Sequence, residues 1–211
     1  MTFNCMIAGV GGQGTVLASK LLAAAAMKRG YNVRTTETIG MAQRGGSVVS
    51  HVRIGDKIFS PLIPLYSADA LIAFEPAEAV RQLAFLRRRK ADAPDKAGMP
   101  DKTVEPDGGG IVLVCDSAIK PAAGPEAGAY EAAAMIDYLK ANAPRLVVID
   151  GKRLTAQSAK TLNVALLGAA AKNGIFPFEA ETLKEVLKEM LPERFLEMNL
   201  KAFETGRQIC Q

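Results

Sequence analysis

Four glycines occupy the six positions 9–14, in the stretch GVGGQG, between a strongly apolar segment and an alanine-rich one. The apolar segment, residues 3–10, predicts a buried strand, and residues 15–28 predict a helix. A glycine loop in this place lets the backbone turn tightly and directs the amides of the helix N-terminus toward a ligand. The feature therefore predicts the strand–loop–helix unit on which many α/β proteins are built.

Strand and helix patterns alternate along the rest of the chain. Strands are predicted at residues 31–36, 47–54, 57–60, 69–75, 111–115 and 146–150, and helices at residues 78–89, 130–142, 155–172, 179–191 and 193–205. Gly55 and Asp56 predict a turn that joins residues 47–54 and 57–60 in a hairpin. The alternation predicts an α/β fold with a three-layer, Rossmann-like, mostly parallel sheet and helices on both faces.

The length of the chain, 211 residues, suits a single domain over residues 1–211. Residues 90–110 interrupt the pattern, because they are rich in Asp, Lys, Pro and Gly and hold almost no large apolar side chain. Their composition predicts a polar, exposed excursion from the domain.

A second glycine-bearing stretch, TIGMAQRGGSV at residues 38–48, follows the next predicted strand. Both glycine stretches come after strands of a parallel sheet, so we expect them to lie at the same edge, where open α/β sheets bind ligands. Arg44 is a permanent cation that can pair with a phosphate or carboxylate, and Gln13 and Gln43 can hydrogen-bond a partner loop or a carbonyl. Ser47 is expected to cap a turn or a strand. The sequence thus predicts a rim that binds an anion or a partner.

The spacing of Gly9, Gly11 and Gly14 also fits the dinucleotide motif G-x-G-x-x-G. Glu37 lies at the end of the second predicted strand, where an acidic residue would hold a ribose of NAD or FAD. Two other interpretations stay open: a glycine turn that only permits close packing of helix and strand, and a phosphate or backbone contact of another kind. If no dinucleotide binds, Glu37 is expected to form an ion pair with Arg44.

The cysteines and the histidine argue against several kinds of site. Cys5, Cys115 and Cys210 lie far apart without a C-x-x-C spacing, which disfavours a zinc or iron–sulfur site encoded by this chain. The single histidine, His51, lies within a predicted strand and is expected to be structural. No Ser–His–Asp set or pair of carboxylates accompanies the glycine loops, so the sequence predicts no catalytic residue and no metal ligand.

Charge and hydropathy argue against other partners. The net charge of +4 is only mildly basic, and aromatic residues make up 6% of the chain with no Trp, so no base-stacking platform for nucleic acid is expected. No uninterrupted apolar run has the length of a membrane span, and the start of the chain lacks a signal-peptide pattern. The odd cysteine count favours a reducing, cytoplasmic location.

Two longer stretches resemble a known family. GVGGQGTVLASKLLA at 9–23 and ETIGMAQRGGSVVSHVRIG at 37–55 are similar to the gamma-type subunit or domain of the 2-oxoacid:ferredoxin oxidoreductases, and the pair is more specific than either glycine loop alone. SPLIPLYSADALIAFEPAEAVR at 60–81 narrows the resemblance to the branch that oxidises indolepyruvate and related arylpyruvates. The similarity resumes at 160–178 and 193–206, so it extends over most of the chain.

This resemblance implies an accessory subunit of an enzyme that converts a 2-oxoacid and coenzyme A to an acyl-CoA and carbon dioxide. Electrons from the reaction pass to ferredoxin. The resemblance further implies that thiamine diphosphate, Mg²⁺ and [4Fe–4S] clusters are held by a large partner subunit, with coenzyme A as cosubstrate. It implies that this chain binds no cofactor alone and is inactive when isolated, whether as a monomer or as a homodimer.

By position, the resemblance assigns two loops and one acidic residue to a rim near the partner's active site. The first glycine loop (residues 9–14) contributes Gly9, Gly11, Gly12, Gln13 and Gly14, and the second glycine loop (residues 40–47) contributes Gly40, Met41, Ala42, Gln43, Arg44, Gly45, Gly46 and Ser47, with Glu37 beside them. Two other classes of function remain open at this point: a stand-alone NAD(P)- or flavin-binding Rossmann-type oxidoreductase, and a self-associating, non-catalytic α/β protein.

Overall fold

A mixed six-stranded sheet forms the centre of the computed structural model, which describes residues 2–40, 45–88, 108–119, 131–155 and 159–209. The strands are β1 (Thr2–Val10), β2 (Asn32–Ile39), β3 (Ser47–Gly55), β4 (Ala70–Ala73), β5 (Ile111–Cys115) and β6 (Arg145–Ile149). The helices are α1 (Thr15–Lys28), α2 (Pro76–Gln82), α3 (Ala132–Asn142), α4 (Gly151–Thr155), α5 (Leu162–Lys172), α6 (Ala180–Met190) and α7 (Glu193–Ile209).

The strand order is β2-β3-β1-β4-β5-β6, and only β3 runs against the others. The carboxyl ends of the other five strands therefore meet at one edge of the sheet, the carboxyl edge. Both glycine loops lie at this edge, because the first follows β1 and the second follows β2. The prediction of an α/β fold with a mostly parallel sheet is confirmed.

Helices cover the two faces unequally. The alternating side chains of β1 divide between the faces: Cys5 and Ile7 belong to one apolar cluster, and Met6 and Ala8 to the other. The first face packs against α1 and α4–α7. The second face packs against α2, α3 and the β3–β4 connection (residues 56–69), whose Ile63 is buried in the second cluster.

Two glycines let α5 and α7 cross closely on the first face. A Cβ atom at Gly206 would lie 1.9 Å from the Ala165 carbonyl oxygen, and one at Gly168 would lie 2.1 Å from the Phe203 carbonyl oxygen. Both distances are far below a van der Waals contact, so the helix backbones touch only because these side chains are absent.

The predicted hairpin is wrong. Residues 57–60 form no strand, and β3 pairs instead with both β1 and β2. The physical reason lies in burial: β3 is apolar on both faces, with Val48, Val49 and Val52 all buried, so it belongs inside the sheet rather than in an edge hairpin.

Two predicted helices also differ from the structure. The helix expected at 78–89 begins earlier, at Pro76, because Glu75 caps its N-terminus, and it tightens into a 3₁₀ turn at Leu83–Phe85. The helix expected at 155–172 begins only at Leu162, as α5, after a 3₁₀ turn at Ala159–Thr161; Thr155 instead ends the short helix α4.

The predicted polar excursion falls mostly on residues 90–107, which lie outside the described residues. Its last two residues are buried rather than exposed: Gly110 N donates to the Arg87 carbonyl oxygen, and a Cβ atom at Gly109 would lie 2.4 Å from Pro144. In the part of the chain that the structure describes, no helix combines the length and apolar character needed to cross a membrane.

Candidate functional site

The two glycine loops lie side by side at the carboxyl edge. Gly11 N donates a hydrogen bond of 2.8 Å to the Gly46 carbonyl oxygen, and Gly45 N donates one of 3.4 Å to the Gly11 carbonyl oxygen. The structure thus brings the loops together, as their shared edge predicts. Four residues assigned to the second loop, Met41, Ala42, Gln43 and Arg44, lie outside the described residues.

Glycine is required at three positions of the first loop. Gly12 and Gly14 have φ angles of 102° and 82°, in the left-handed region. At Gly9 the backbone conformation is ordinary, but a Cβ atom would lie 2.7 Å from Gln13 Oε1 and 2.8 Å from Thr15 Cγ2. Gly12 is exposed, and nothing lies within 4 Å of the position its Cβ atom would take, so the tip of the loop presents bare backbone.

The amide of Gln13 turns inward. Its Oε1 accepts a 2.8 Å hydrogen bond from Val10 N, and its Nε2 donates one of 3.4 Å to the Phe74 carbonyl oxygen at the end of β4. The sequence analysis expected Gln13 to hydrogen-bond a partner loop or a carbonyl. The structure makes it a brace between β1 and β4, because both of its polar atoms are satisfied within the chain.

Asn163, which the sequence analysis did not single out, supports the same loop. It is buried at the start of α5, and its Nδ2 donates a 3.3 Å hydrogen bond to the Gly14 carbonyl oxygen. A Cβ atom at Gly14 would lie 2.5 Å from this Nδ2 atom. Asn163 therefore fits only against a glycine, and it fixes the turn from which α1 starts.

The described part of the second loop is tied to α2. Ser47 Oγ donates a 2.5 Å hydrogen bond to Glu78 Oε2, and Arg81 Nη1 lies 3.0 Å from Glu78 Oε1. Glu78 N in turn donates to Glu75 Oε1 at 3.3 Å. Glu78 is buried with both carboxylate oxygens bonded, and it is a second site residue that the sequence analysis missed. Its signal was present as E-P-A-E, a cap and a first-turn acid around Pro76.

Glu37 lies too far along the sheet for the ribose role. Its Oε1 accepts a 3.1 Å hydrogen bond from Ser19 Oγ of α1. In the dinucleotide fold the strand that carries the ribose-binding acid neighbours the strand of the glycine loop. Here β3 lies between them, so Glu37 is about 10 Å from β1 at a strand spacing of about 4.8 Å. This topology disfavours NAD or FAD binding in the standard manner.

The described cysteines are buried singly. Burial raises the pKa of the Cys5 thiol, and burial also raises that of Cys115, which ends β5 near the carboxyl edge. Both are therefore held as neutral thiols, which are poor nucleophiles and poor metal ligands. Within the described ranges no three His, Cys, Asp or Glu side chains are grouped closely enough to hold a metal ion.

His51 lies on the second face, away from the glycine loops. Its Nδ1 accepts a 3.2 Å hydrogen bond from Ile63 N, and its ring meets Phe85 edge to face at 5.8 Å. Burial lowers the pKa of the imidazole below its ordinary value of 6.5, which favours the neutral ring that this hydrogen bond needs. The position fits the structural role that the sequence predicts.

Comparisons with known proteins relate this chain to a family. The profile of the family described as pyruvate ferredoxin/flavodoxin oxidoreductase matches residues 4–209. The indolepyruvate oxidoreductase subunit IorB of Archaeoglobus fulgidus is 35% identical over 209 residues, which are 98% of this chain and 94% of that protein. The pyruvate/ketoisovalerate oxidoreductases common subunit gamma of Thermococcus kodakarensis is 30% identical over 200 residues, 93% and 90% of the two chains.

A solved structure shows the same fold. The gamma subunit of keto/oxoacid ferredoxin oxidoreductase from Geobacter sulfurreducens superimposes with a TM-score of 0.63, over 99% of this chain and 98% of that one. At 22% sequence identity this likeness bears on the fold alone. It agrees with the six-stranded sheet and its helices on both faces.

Proposed function

This chain belongs to the pyruvate ferredoxin/flavodoxin oxidoreductase family, and on that premise we propose that it serves an enzyme that oxidises indolepyruvate. The chain is an accessory subunit of a 2-oxoacid:ferredoxin oxidoreductase. The observation that supports indolepyruvate is the 35% identity to subunit IorB over 98% of this chain, against 30% over 93% for the pyruvate/ketoisovalerate gamma subunit.

In this proposal the chemistry belongs to a larger partner subunit. Thiamine diphosphate with Mg²⁺ supplies the decarboxylation chemistry there, [4Fe–4S] clusters conduct the electrons to ferredoxin, and coenzyme A accepts the acyl group. Among the described residues the donor set does not fit a cluster, since Cys5 and Cys115 are buried singly on the separate strands β1 and β5. Because the chemistry belongs to the partner, the isolated chain is proposed to be inactive. The location of the protein is proposed to be cytoplasmic.

The contribution of this chain is a shaped rim. Gly12 and Gly45 are both exposed and in the left-handed region, and nothing lies within 4 Å of either Cβ position. Bare backbone at both tips allows another surface to approach closely. Gln13 and Asn163 hold the first loop from beneath, and Glu78 holds Ser47 of the second, so these described parts of the rim are fixed within the chain before a partner binds.

The second loop also supplies the charge that the proposal needs. Arg44 is proposed to pair with a carboxylate or phosphate of the substrate or of coenzyme A, because a guanidinium binds such groups with two parallel hydrogen bonds. Gln43 is proposed to fix a loop of the partner by hydrogen bonds. Both roles rest on the resemblance and on the place of the second glycine loop beside the first.

Purification of the tagged chain from its host without oxygen tests the assignment. We expect a brown complex with a large thiamine-bearing chain, identified by mass spectrometry and by its visible spectrum. With coenzyme A, the complex should reduce ferredoxin faster with indolepyruvate than with pyruvate. A colourless chain that emerges alone and binds NADH or a flavin would overturn the proposal in favour of a stand-alone oxidoreductase.

Two matched glycines test the rim itself. Gly12 and Gly30 are both exposed, both left-handed and both free of neighbours at the Cβ position, but Gly30 lies at the opposite end of α1. Gly12→Val should lower turnover by about tenfold or more in a complex that still assembles, because a side chain then fills the approach. Gly30→Val should lose similar stability and keep its turnover. Equal turnover in the two variants would contradict the proposal that the rim contributes to the active site.

A further inference from the structure

Four apolar side chains of the β3–β4 connection point into solvent. Phe59 is 94% exposed, Leu62 57%, Leu65 47% and Tyr66 38%, all within eight residues of chain. Single exposed apolar residues are common on protein surfaces, but contiguous apolar patches mark sites of interaction. These four side chains are called the apolar surface below.

The backbone that carries the apolar surface is held in place rather than loose. Arg53 of β3 donates from Nη1 to the carbonyl oxygens of Ser60, at 2.9 Å, and Leu62, at 3.2 Å. Ile63 N donates to His51 Nδ1, and Leu62 N donates to Ser60 Oγ. The connection is therefore fixed to the sheet through main-chain groups, which leaves its outward side chains available.

The same fixation prevents the exposed side chains from turning inward. Ile58 and Ile63 are buried, with 8% and 3% exposure, and they occupy the inward positions of the connection. Phe59 and Leu62 are their immediate neighbours and are exposed. Binding of a partner here costs little conformational entropy, because the backbone that carries these side chains is already fixed.

Two exposed cations, Lys57 and Arg88, lie beside the apolar surface and indicate what kind of partner covers it. The Arg88 guanidinium carbon lies 4.2 Å from the centre of the Tyr66 ring, Lys57 is exposed two residues before Phe59, and Arg53 lies beneath the connection. Asp56 is the acidic residue at the start of the connection. A second copy of this chain would bring the same cations face to face, which disfavours self-association through this surface.

We propose that the apolar surface is where the larger subunit of the oxidoreductase docks, through an apolar socket rimmed by carboxylates. The inference rests on the proposed function, which supplies the larger subunit, and it adds a second contact distinct from the glycine loops. The glycine loops lie at the carboxyl edge and the apolar surface lies on the second face. One contact then shapes the active site, and the other anchors this chain to the enzyme.

The test uses the tagged full chain, purified from its host without oxygen as before. The double variant Phe59→Ser, Leu62→Ser should lower the amount of large subunit recovered per bait by about tenfold or more, because central aromatic and aliphatic anchors carry most of the binding energy. Lys57→Glu should cause a smaller loss, and salt should weaken the wild-type complex, because a carboxylate rim is then repelled or screened.

Matched controls come from exposed apolar residues on helices of the first face. Met27 is 58% exposed and Phe195 41%, so the double variant Met27→Ser, Phe195→Ser removes a similar pair of side chains at another place. Its recovery of the large subunit should equal that of wild type. Thermal unfolding of both double variants should stay near that of wild type, which separates docking from folding.

Each other result has a definite meaning. If wild type recovers the large subunit and the Phe59→Ser, Leu62→Ser variant recovers as much, the docking proposal is overturned while the proposed function stands. If wild type recovers no large subunit, the proposed function fails and the docking proposal falls with it. If sedimentation shows a wild-type homodimer that this variant turns into monomers, the occupant is a second copy and the proposal is wrong.

Discussion

The apolar residues on the two faces of the sheet are covered in different ways. On the first face α1 covers β1 and β3, and α6 packs behind it, so the apolar residues are enclosed by helices. On the second face α2 packs against β1 and β4, and the β3–β4 connection, which forms no helix, covers β3 through Ile63. A helix can bury one whole stripe of side chains, whereas this connection of bends and turns buries only single side chains such as those of Ile58 and Ile63.

On the second face, apolar residues that are buried by folding lie next to apolar residues that stay exposed. Ile63 and Leu62 are adjacent and both apolar, yet one is 3% exposed and the other 57%. Folding of this chain accounts for the first and leaves the second unexplained. The first face also has exposed apolar residues, but its helices carry them: Met27 lies on α1, Met190 on α6, and Phe195 and Met198 on α7.

The largest effect is expected on the first face, at the crossing of α5 and α7. Gly206→Leu should destabilise the protein by at least about 3 kcal/mol, because the new side chain collides with the backbone of α5 at Ala165 and the helices must separate. Denaturant unfolding of the purified chain measures the loss. Thr205→Ala, one residue earlier on the same helix, should change stability by about 1 kcal/mol or less. Similar losses in the two variants would contradict the close crossing.

On the second face, neighbouring residues should differ sharply. Ile63→Ala should cost about 2–4 kcal/mol, since it empties a buried position of the second cluster, whereas Leu62→Ala should cost about 0.5 kcal/mol or less. Urea unfolding of both variants provides the comparison. The contrast in burial between these two neighbours would be refuted if Leu62→Ala proved the more damaging of the two.

A smaller effect is expected from loosening the connection without touching its apolar residues. Arg53→Met keeps the stem of the side chain but removes hydrogen bonds to Asn4 Oδ1 and to the Ser60 and Leu62 carbonyl oxygens, so a loss of about 1–2 kcal/mol is expected. Limited proteolysis should then cut within the connection sooner than in wild type.

Arg34 offers the matched control, since it lies directly opposite Arg53 on the edge strand β2 and is exposed. Arg34→Met should leave both stability and the rate of cleavage close to those of wild type. Faster cleavage in this control would mean that the connection depends on charge at this end of the sheet rather than on hydrogen bonds from Arg53.

Local signals in the sequence were enough to predict α1 and most of the strands. The predicted helix 15–28 coincides with Thr15–Lys28, because an apolar pattern is followed by Gly30, whose φ angle of 84° ends the helix. The hairpin failed for the opposite reason. The apolar pattern of β3 shows that the strand is buried, but the choice of β1 and β2 as its neighbours depends on contacts far apart in the chain.

In the candidate site, too, some features could be predicted from the sequence and others could not. The shared edge of the two glycine loops was predictable, because strand direction in a parallel sheet dictates it. Asn163 was not, since the residue it holds, Gly14, is 149 positions away. Spacing alone offered Glu37 as one candidate ribose ligand, because spacing carries no information that an antiparallel strand enters between β2 and β1.

The smallest expected effect is a change of stability with pH at the contact between His51 of β3 and Ile63 of the connection. The pKa of buried His51 is lowered, so the unfolded chain binds a proton more readily than the folded one, and stability should fall as the pH drops through 6.5. Below the folded pKa the loss should level off. His51→Asn keeps an acceptor for Ile63 N but cannot titrate, so it should lose this part of the pH dependence. Urea unfolding from about pH 7.5 to about pH 5 measures both proteins. Parallel curves for wild type and variant would show that the imidazole is not what holds the connection against the sheet.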